Sequence, residues 1–145
     1  MPSEATNEAT RREWRELGFF YDRNDEAKEW HIVGSKQGLA TFARLIQRYA
    51  SNPRNEALSE HDHFGPYMYL KIATWSTPEI TDEWIAGPLK DLSQLSSVIE
   101  DKLRELKCGD RVMLRQSYAP TSPYDLVLEM RDDDFDPARA DRSCW

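Results

Sequence analysis

Hydrophobic positions along the chain switch repeatedly between a period of two and a period near 3.6, and the switches divide it into seven elements. Leu17-Gly18-Phe19-Phe20-Tyr21-Asp22 is aromatic-rich and short, as expected of a half-buried strand. The polar run Arg23 to Ala27 then predicts a turn, and Glu29-Trp30-His31-Ile32-Val33-Gly34 a second strand paired with the first as an antiparallel hairpin. Ser35 is a favoured N-cap, and Leu39, Phe42, Leu45, Ile46, Tyr49 and Ala50 recur at helical spacing until Pro53 stops the helix near Ser51 or Asn52. Residues 52 to 66 read as a polar connector.

Tyr67 to Trp75 predicts the third strand. Met68, Leu70 and Ile72 point to one face; Tyr69, Lys71, Ala73 and Trp75 point to the other. Thr77 to Trp84 reads as an irregular loop. A second helix begins near Pro88, a residue suited to a first turn, and carries the stripe Leu89, Leu92, Leu95, Ile99, Leu103 and Leu106. Lys102, Arg104 and Lys107 complement the dipole at its end, where Gly109 is a good cap. Arg111 to Tyr118 and Tyr124 to Met130 then alternate as two strands around a loop stiffened by Pro120 and Pro123.

The order β-β-α-β-α-β-β predicts an α+β fold, a two-layer sandwich with both helices on one face of a mainly antiparallel five-stranded sheet. Residues 14 to 131 make up the expected single domain. Residues 1 to 13 are polar and predict a flexible tail; residues 132 to 145 predict a second loose tail, acidic at its start. At 145 residues the chain is long enough to bury roughly two-thirds of its unfolded surface without staples. The open face of the expected sheet carries Phe20, His31, Tyr69, Lys71, Trp75, Met113, Arg115 and Val127. Aromatics mixed with isolated charges suit a partner or homodimer surface.

Charge narrows the function classes. A formal net charge of −7 repels phosphate backbones and argues against nucleic-acid binding, while it favours a basic protein partner. No apolar run is long enough for a membrane span, and the first residues lack the basic and apolar regions of a signal peptide. The two cysteines, Cys108 and Cys144, make neither a disulfide framework nor a metal knuckle, so a reducing cytoplasm is the expected location.

Candidate chemistry concentrates in Ser59-Glu60-His61-Asp62-His63-Phe64-Gly65-Pro66-Tyr67. His61 and His63 are two apart, so an extended backbone places both imidazoles on one side, a possible metal pair with Glu56, Glu60 or Asp62 as oxygen donor. A third nitrogen or sulfur ligand is missing at the usual spacing. Ser59 lies near His61 and Asp62, but no Gly-x-Ser-x-Gly elbow is present, and no glycine pattern forms a phosphate cradle. No catalytic residue and no cofactor is therefore expected. A metal-dependent or hydrolytic enzyme centred on His61 and His63 is the alternative to a binding protein. Asp132, Asp133 and Asp134 lack the Gly and terminal Glu of a calcium loop and read as a solvated tail or as a contact for a basic partner.

Glu29 to Ser35 leading into Gly38-Leu39 and an amphipathic helix, followed by His61-Asp62-His63 and a strand, resembles small immunity proteins of bacterial polymorphic-toxin systems. The resemblance covers about residues 28 to 75 and rests on Gly38, Leu39, His61 and His63. It implies a cytoplasmic, non-catalytic protein that blocks a cognate toxin domain. The partner-binding candidates are then Tyr69, Lys71, Trp75, Arg115, Asp132, Asp133 and Asp134.

Overall fold

A computed structural model describes residues 3–145, and the fold is α+β. Its strands form two four-stranded mixed sheets instead of one five-stranded sheet. In the first, β1 (Phe20–Asn24), β2 (Glu29–Gly34), β8 (Asp125–Met130) and β7 (Arg111–Met113) lie side by side in that order. In the second the order is β3 (His61–Phe64), β4 (Leu70–Thr74), β6 (Trp84–Gly87) and β5 (Glu79–Ile80). The two sheets are built alike. Each consists of two antiparallel pairs joined through their second strands, which run parallel: β2 with β8, and β4 with β6.

Local pairing is what the residue pattern encodes, and it holds for β1 with β2 and for β7 with β8. The parallel centres join segments distant in sequence, which no local pattern announces. Two short strands, β5 and β6, occupy the region expected to be an irregular loop, and β3 occupies the end of the expected connector. Beyond Met113 the chain leaves the sheet in a single helical turn, α4 (Arg115–Tyr118), which lets the Tyr118 hydroxyl donate to the Ala86 carbonyl at 2.6 Å. Burial raises the pKa of that hydroxyl well above the ordinary phenol value.

Helices α2 (Lys36–Ala50) and α3 (Leu89–Glu105) pack against one another with the expected stripes inward. Leu39, Phe42, Ile46, Leu92, Leu95 and Ile99 join Ile32 and Leu128 of the first sheet and Ile72 and Ile85 of the second in one core. Ser35 caps α2 by accepting from the Gly38 N–H at 3.1 Å. Gly38 is fixed by packing: a Cβ there would stand 2.3 Å from the Gly18 carbonyl oxygen. The Ser96 hydroxyl ties the helices by donating to the Ala43 carbonyl at 2.7 Å.

Both expected tails are structured. Residues 1 and 2 lie outside the described residues, but Glu4–Leu17 is a helix, α1, capped by Ser3 and closed by Gly18 in the left-handed region. Most of its side chains are polar, and only Trp14 is buried. The acidic end is also organised, by α5 (Pro137–Ala140) and a short turn at Arg142–Cys144, both packed on α1. Trp14 Nε1 donates to Asp141 Oδ2 at 2.9 Å, Arg15 pairs with Asp136 at 3.0 Å, and Arg11 donates to the Cys144 carbonyl. These contacts span more than a hundred positions, so neither segment reveals its order alone.

Candidate functional site

The two sheets meet beside β1, where a cleft of about 630 Å³ opens. Its floor is aromatic. Trp14, Phe20, Tyr21 and Trp30 line it, with the Trp14 ring 4.9 Å from Phe20 and 5.0 Å from Tyr21 between centroids. Trp30 is held by its indole N–H, which donates to the Thr81 carbonyl at 2.7 Å. Asp22, Arg23, Lys71, Glu83 and Asp141 supply the charged part of the lining.

One rim of the cleft is a ridge made by Tyr67, Met68 and Tyr69, which are 48%, 57% and 63% exposed. The Tyr67 and Tyr69 rings stack with centroids 5.7 Å apart. Both also line a second, smaller hollow on the far side, bordered by Thr6, Asn7 and Thr10 of α1. Met68 was expected on the core side of a strand. The strand starts only at Leu70, because Gly65, Tyr67 and Met68 all adopt positive φ, at 77°, 65° and 57°. Left-handed backbone at a residue other than glycine costs about 1–3 kcal/mol and persists only where the surroundings impose it.

The surroundings here act from two sides. The Tyr21 hydroxyl, buried beneath the turn, donates to the Pro66 and Phe64 carbonyls and accepts from the Tyr69 N–H at 3.3 Å. Burial pushes its pKa up to about 12, so it stays a donor at any physiological pH. From the other side Asp141 accepts from the Tyr67 hydroxyl at 2.7 Å as well as from Trp14 and Ser143. Burial opposes the charge on Asp141, yet the hydrogen bonds from Ser143, Tyr67 and Trp14 outweigh it and hold the carboxyl below the usual carboxylate range. The Gly65 position adds a third constraint: a Cβ there would lie 2.6 Å from the Tyr21 ring.

The outer face of the second sheet continues from this ridge. Lys71 stands opposite His63 on β3 and Trp84 on β6, its ammonium 5.1 Å from the Trp84 ring centroid. Trp75 lies 6.2 Å from the same ring. His61 and His63 do share a side, with ring centroids 5.2 Å apart, and both are exposed. Their Nδ1 atoms face backbone carbonyls, His61 that of Ser59 at 3.1 Å and His63 that of Met68 at 3.3 Å. Among the described residues no group of three or more His, Cys, Asp and Glu side chains is placed to hold a metal ion.

Of the sequence-derived partner candidates, Tyr69 and Lys71 come together in the cleft, and Trp75 joins them through Trp84. Arg115 and the three aspartates stand apart from it. The Arg115 backbone N–H donates to Asp125 at 2.9 Å, while its guanidinium Nε is buried with no hydrogen-bond partner. Asp132, Asp133 and Asp134 are exposed. The expected common face is split: Phe20, His31, Met113 and Val127 belong to the first sheet, with Val127 buried, and Lys71 to the second. Sequence reasoning missed Trp14, Tyr21, Trp30, Glu83 and Asp141. The aromatics carry the same signal as core residues, but Gly65-Pro66 before two tyrosines did mark the turn.

No protein-family model, no curated protein and no solved structure matches this chain. No helix among the described residues is long and apolar enough to cross a membrane.

Proposed function

We propose that this chain is a non-catalytic protein-binding module, an immunity-type inhibitor that neutralises a cognate toxin domain in the cytoplasm of the bacterium that makes both. The observation that carries the reading is the ridge at Tyr67, Met68 and Tyr69. Three large side chains are exposed side by side on a turn whose strained backbone is held by Tyr21 and Asp141. Interface energy concentrates in such aromatic anchors, and ordering them before the partner arrives lowers the entropic cost of binding.

The net charge of −7 supports capture of a basic partner, because complementary potentials speed encounter. The residues that carry the immunity-protein resemblance have structural duties consistent with it. Gly38 admits the Gly18 carbonyl, Leu39 fills the core, and His61 and His63 face the solvent beside the ridge. In this reading α2 and α3 form one layer behind the sheets, leaving the outer face of the second sheet and the ridge for the partner.

Co-expression with the adjacent open reading frame tests the proposal. Rescue of growth together with co-purification of a one-to-one complex is the expected result. No rescue and no complex, with the chain sedimenting as a dimer through the ridge, would replace the inhibitor by a homodimeric structural module.

A further inference from the structure

We propose that the outer edge of β3 receives an extended segment of the basic partner as a fifth strand of the second sheet, an inference that rests on the partner-binding reading and names how the partner is held. The β3–β4 ladder determines which backbone groups are free. The Thr74 N–H donates to the Glu60 carbonyl at 2.8 Å, so these two residues form a hydrogen-bonded pair. Such pairs alternate along an antiparallel ladder, which makes Asp62 with Ile72 and Phe64 with Leu70 the next two. His61 and His63, opposite Ala73 and Lys71, therefore turn both N–H and C=O away from β4. His61, Asp62 and His63 are all exposed, and among the described residues nothing bonds to the outward backbone groups.

The other sheet edges are closed or guarded. On β5 the Ile80 N–H donates to Ser122 Oγ at 2.9 Å, and the Ile80 carbonyl accepts from the Tyr124 N–H at 3.2 Å. On β1, Trp14 packs against Phe20 and Tyr21, and α5 packs alongside. The edge at β7 is short and carries the exposed Arg111, a charge of the kind that discourages strand addition. Strand β3 holds no lysine, arginine or proline.

Charge selects the occupant. An added strand sets one of its side chains opposite Asp62, on the face that the exposed Glu60 also shares, so a basic residue is favoured there. A second copy fits poorly. Paired antiparallel about Asp62 it sets Asp62 against Asp62, and shifted by one residue it sets Asp62 against Glu60; like charges directly opposite are destabilising. A shift the other way leaves only His63 inside the strand to pair. The edge is also continuous with the ridge, because His63 Nδ1 lies 3.3 Å from the Met68 carbonyl. Main-chain bonds along β3 then hold a strand whose end reaches the exposed anchors Tyr67, Met68 and Tyr69.

The test is amide hydrogen exchange on the whole chain, titrated with the peptide acetyl-Thr-Lys-Val-Lys-Val-Lys-Thr-amide and with its counterpart carrying Glu for each Lys. The lysine peptide is expected to slow exchange at the His61 and His63 amides saturably, and the glutamate peptide to bind about fivefold more weakly. His63→Pro deletes one outward N–H and leaves the β3–β4 ladder whole, as proline on an edge strand can; it should weaken the lysine peptide about tenfold. His63→Ala keeps that N–H and should weaken it by less than about threefold. If proline disturbs the fold, Asp62→Lys decides instead, because the preference should then pass to the glutamate peptide. Equal binding of the two peptides, or no slowing of exchange at His61 and His63, would overturn the proposal. So would a chain that sediments alone as a dimer with both amides protected. A complex co-purified with the product of the adjacent open reading frame that leaves both amides unprotected would keep the inhibitor reading and remove this site. Selective capture of the lysine peptide at β3 without any such complex would do the reverse.

Discussion

Tyr67 donates its hydroxyl proton to Asp141 Oδ2 at 2.7 Å, across 74 positions of sequence. Through the same oxygen Asp141 also receives the Trp14 indole N–H, so one carboxylate fastens α1, the ridge turn and the chain's last segment together. Replacing it with Asn keeps an acceptor but removes the charge that makes these bonds strong. Asp141→Asn should destabilise the fold by about 1–3 kcal/mol, read as a lower midpoint in urea.

The same carboxylate predicts a pH dependence. Its folded-state pKa lies below the ordinary value, so the stability it contributes is present at neutral pH and is lost as pH falls through that depressed pKa. The difference in thermal midpoint between the native chain and Asp141→Asn should hold steady from about pH 8 to pH 5 and close below about pH 4. A gap that instead widens in acid would assign the anchoring to some other group.

Gly38 gives a sharper test of packing. An added Cβ would lie 2.3 Å from a backbone oxygen, which cannot swing aside as a side chain can. Gly38→Ala should therefore cost about 1–3 kcal/mol, although alanine is the better helix former. Chemical denaturation of the two chains measures it, and an alanine variant as stable as the parent would show that α2 is free to shift away from Gly18.

Much of this frame is legible from residue pattern, and the site is legible only in part. Leu92, Leu95, Ile99 and Leu103 announce α3 because a helix writes its buried face at a fixed spacing. Helix α1 has no such face: its one buried residue, Trp14, finds its partner 127 positions away. Strands β5 and β6 are too short to alternate, and their place in the sheet depends on β4. Alternation did single out Tyr69 and Lys71. Trp30 and Tyr21 look like core because they are mostly core, and only the meeting of two sheets turns one edge of each into a cleft lining.

His61 and His63 provide a test of the metal alternative. Both are exposed; each faces one backbone carbonyl, and His61 also packs edge-on against His63 and Trp84 at 5.2 and 5.4 Å between ring centroids. Their joint replacement by Ala should change stability by no more than about 0.5 kcal/mol. Added zinc and subsequent chelation should leave the thermal midpoint of the native chain unmoved, because no binding means no linkage to folding. A chelator-sensitive midpoint that disappears in the double variant would restore the metal site.

Met68 separates binding from stability. It is 57% exposed with φ at 57°, a conformation glycine adopts freely and methionine does not. Its side chain protrudes beside Tyr67 and Tyr69 and contributes little to the core. Met68→Gly should relieve the strained turn and raise stability by about 0.5–1 kcal/mol, part of the relief being offset by the greater freedom of glycine in the unfolded chain. The same change removes an apolar contact from the centre of the proposed interface, so affinity for the partner should fall by about tenfold. Tyr69→Ala, which leaves the strain in place, should lose comparable affinity with little change in stability. Paired measurements of melting temperature and of dissociation rate distinguish the outcomes. A stabilised Met68→Gly chain that binds as well as the parent would mean that the turn is strained for a purpose other than presenting this ridge.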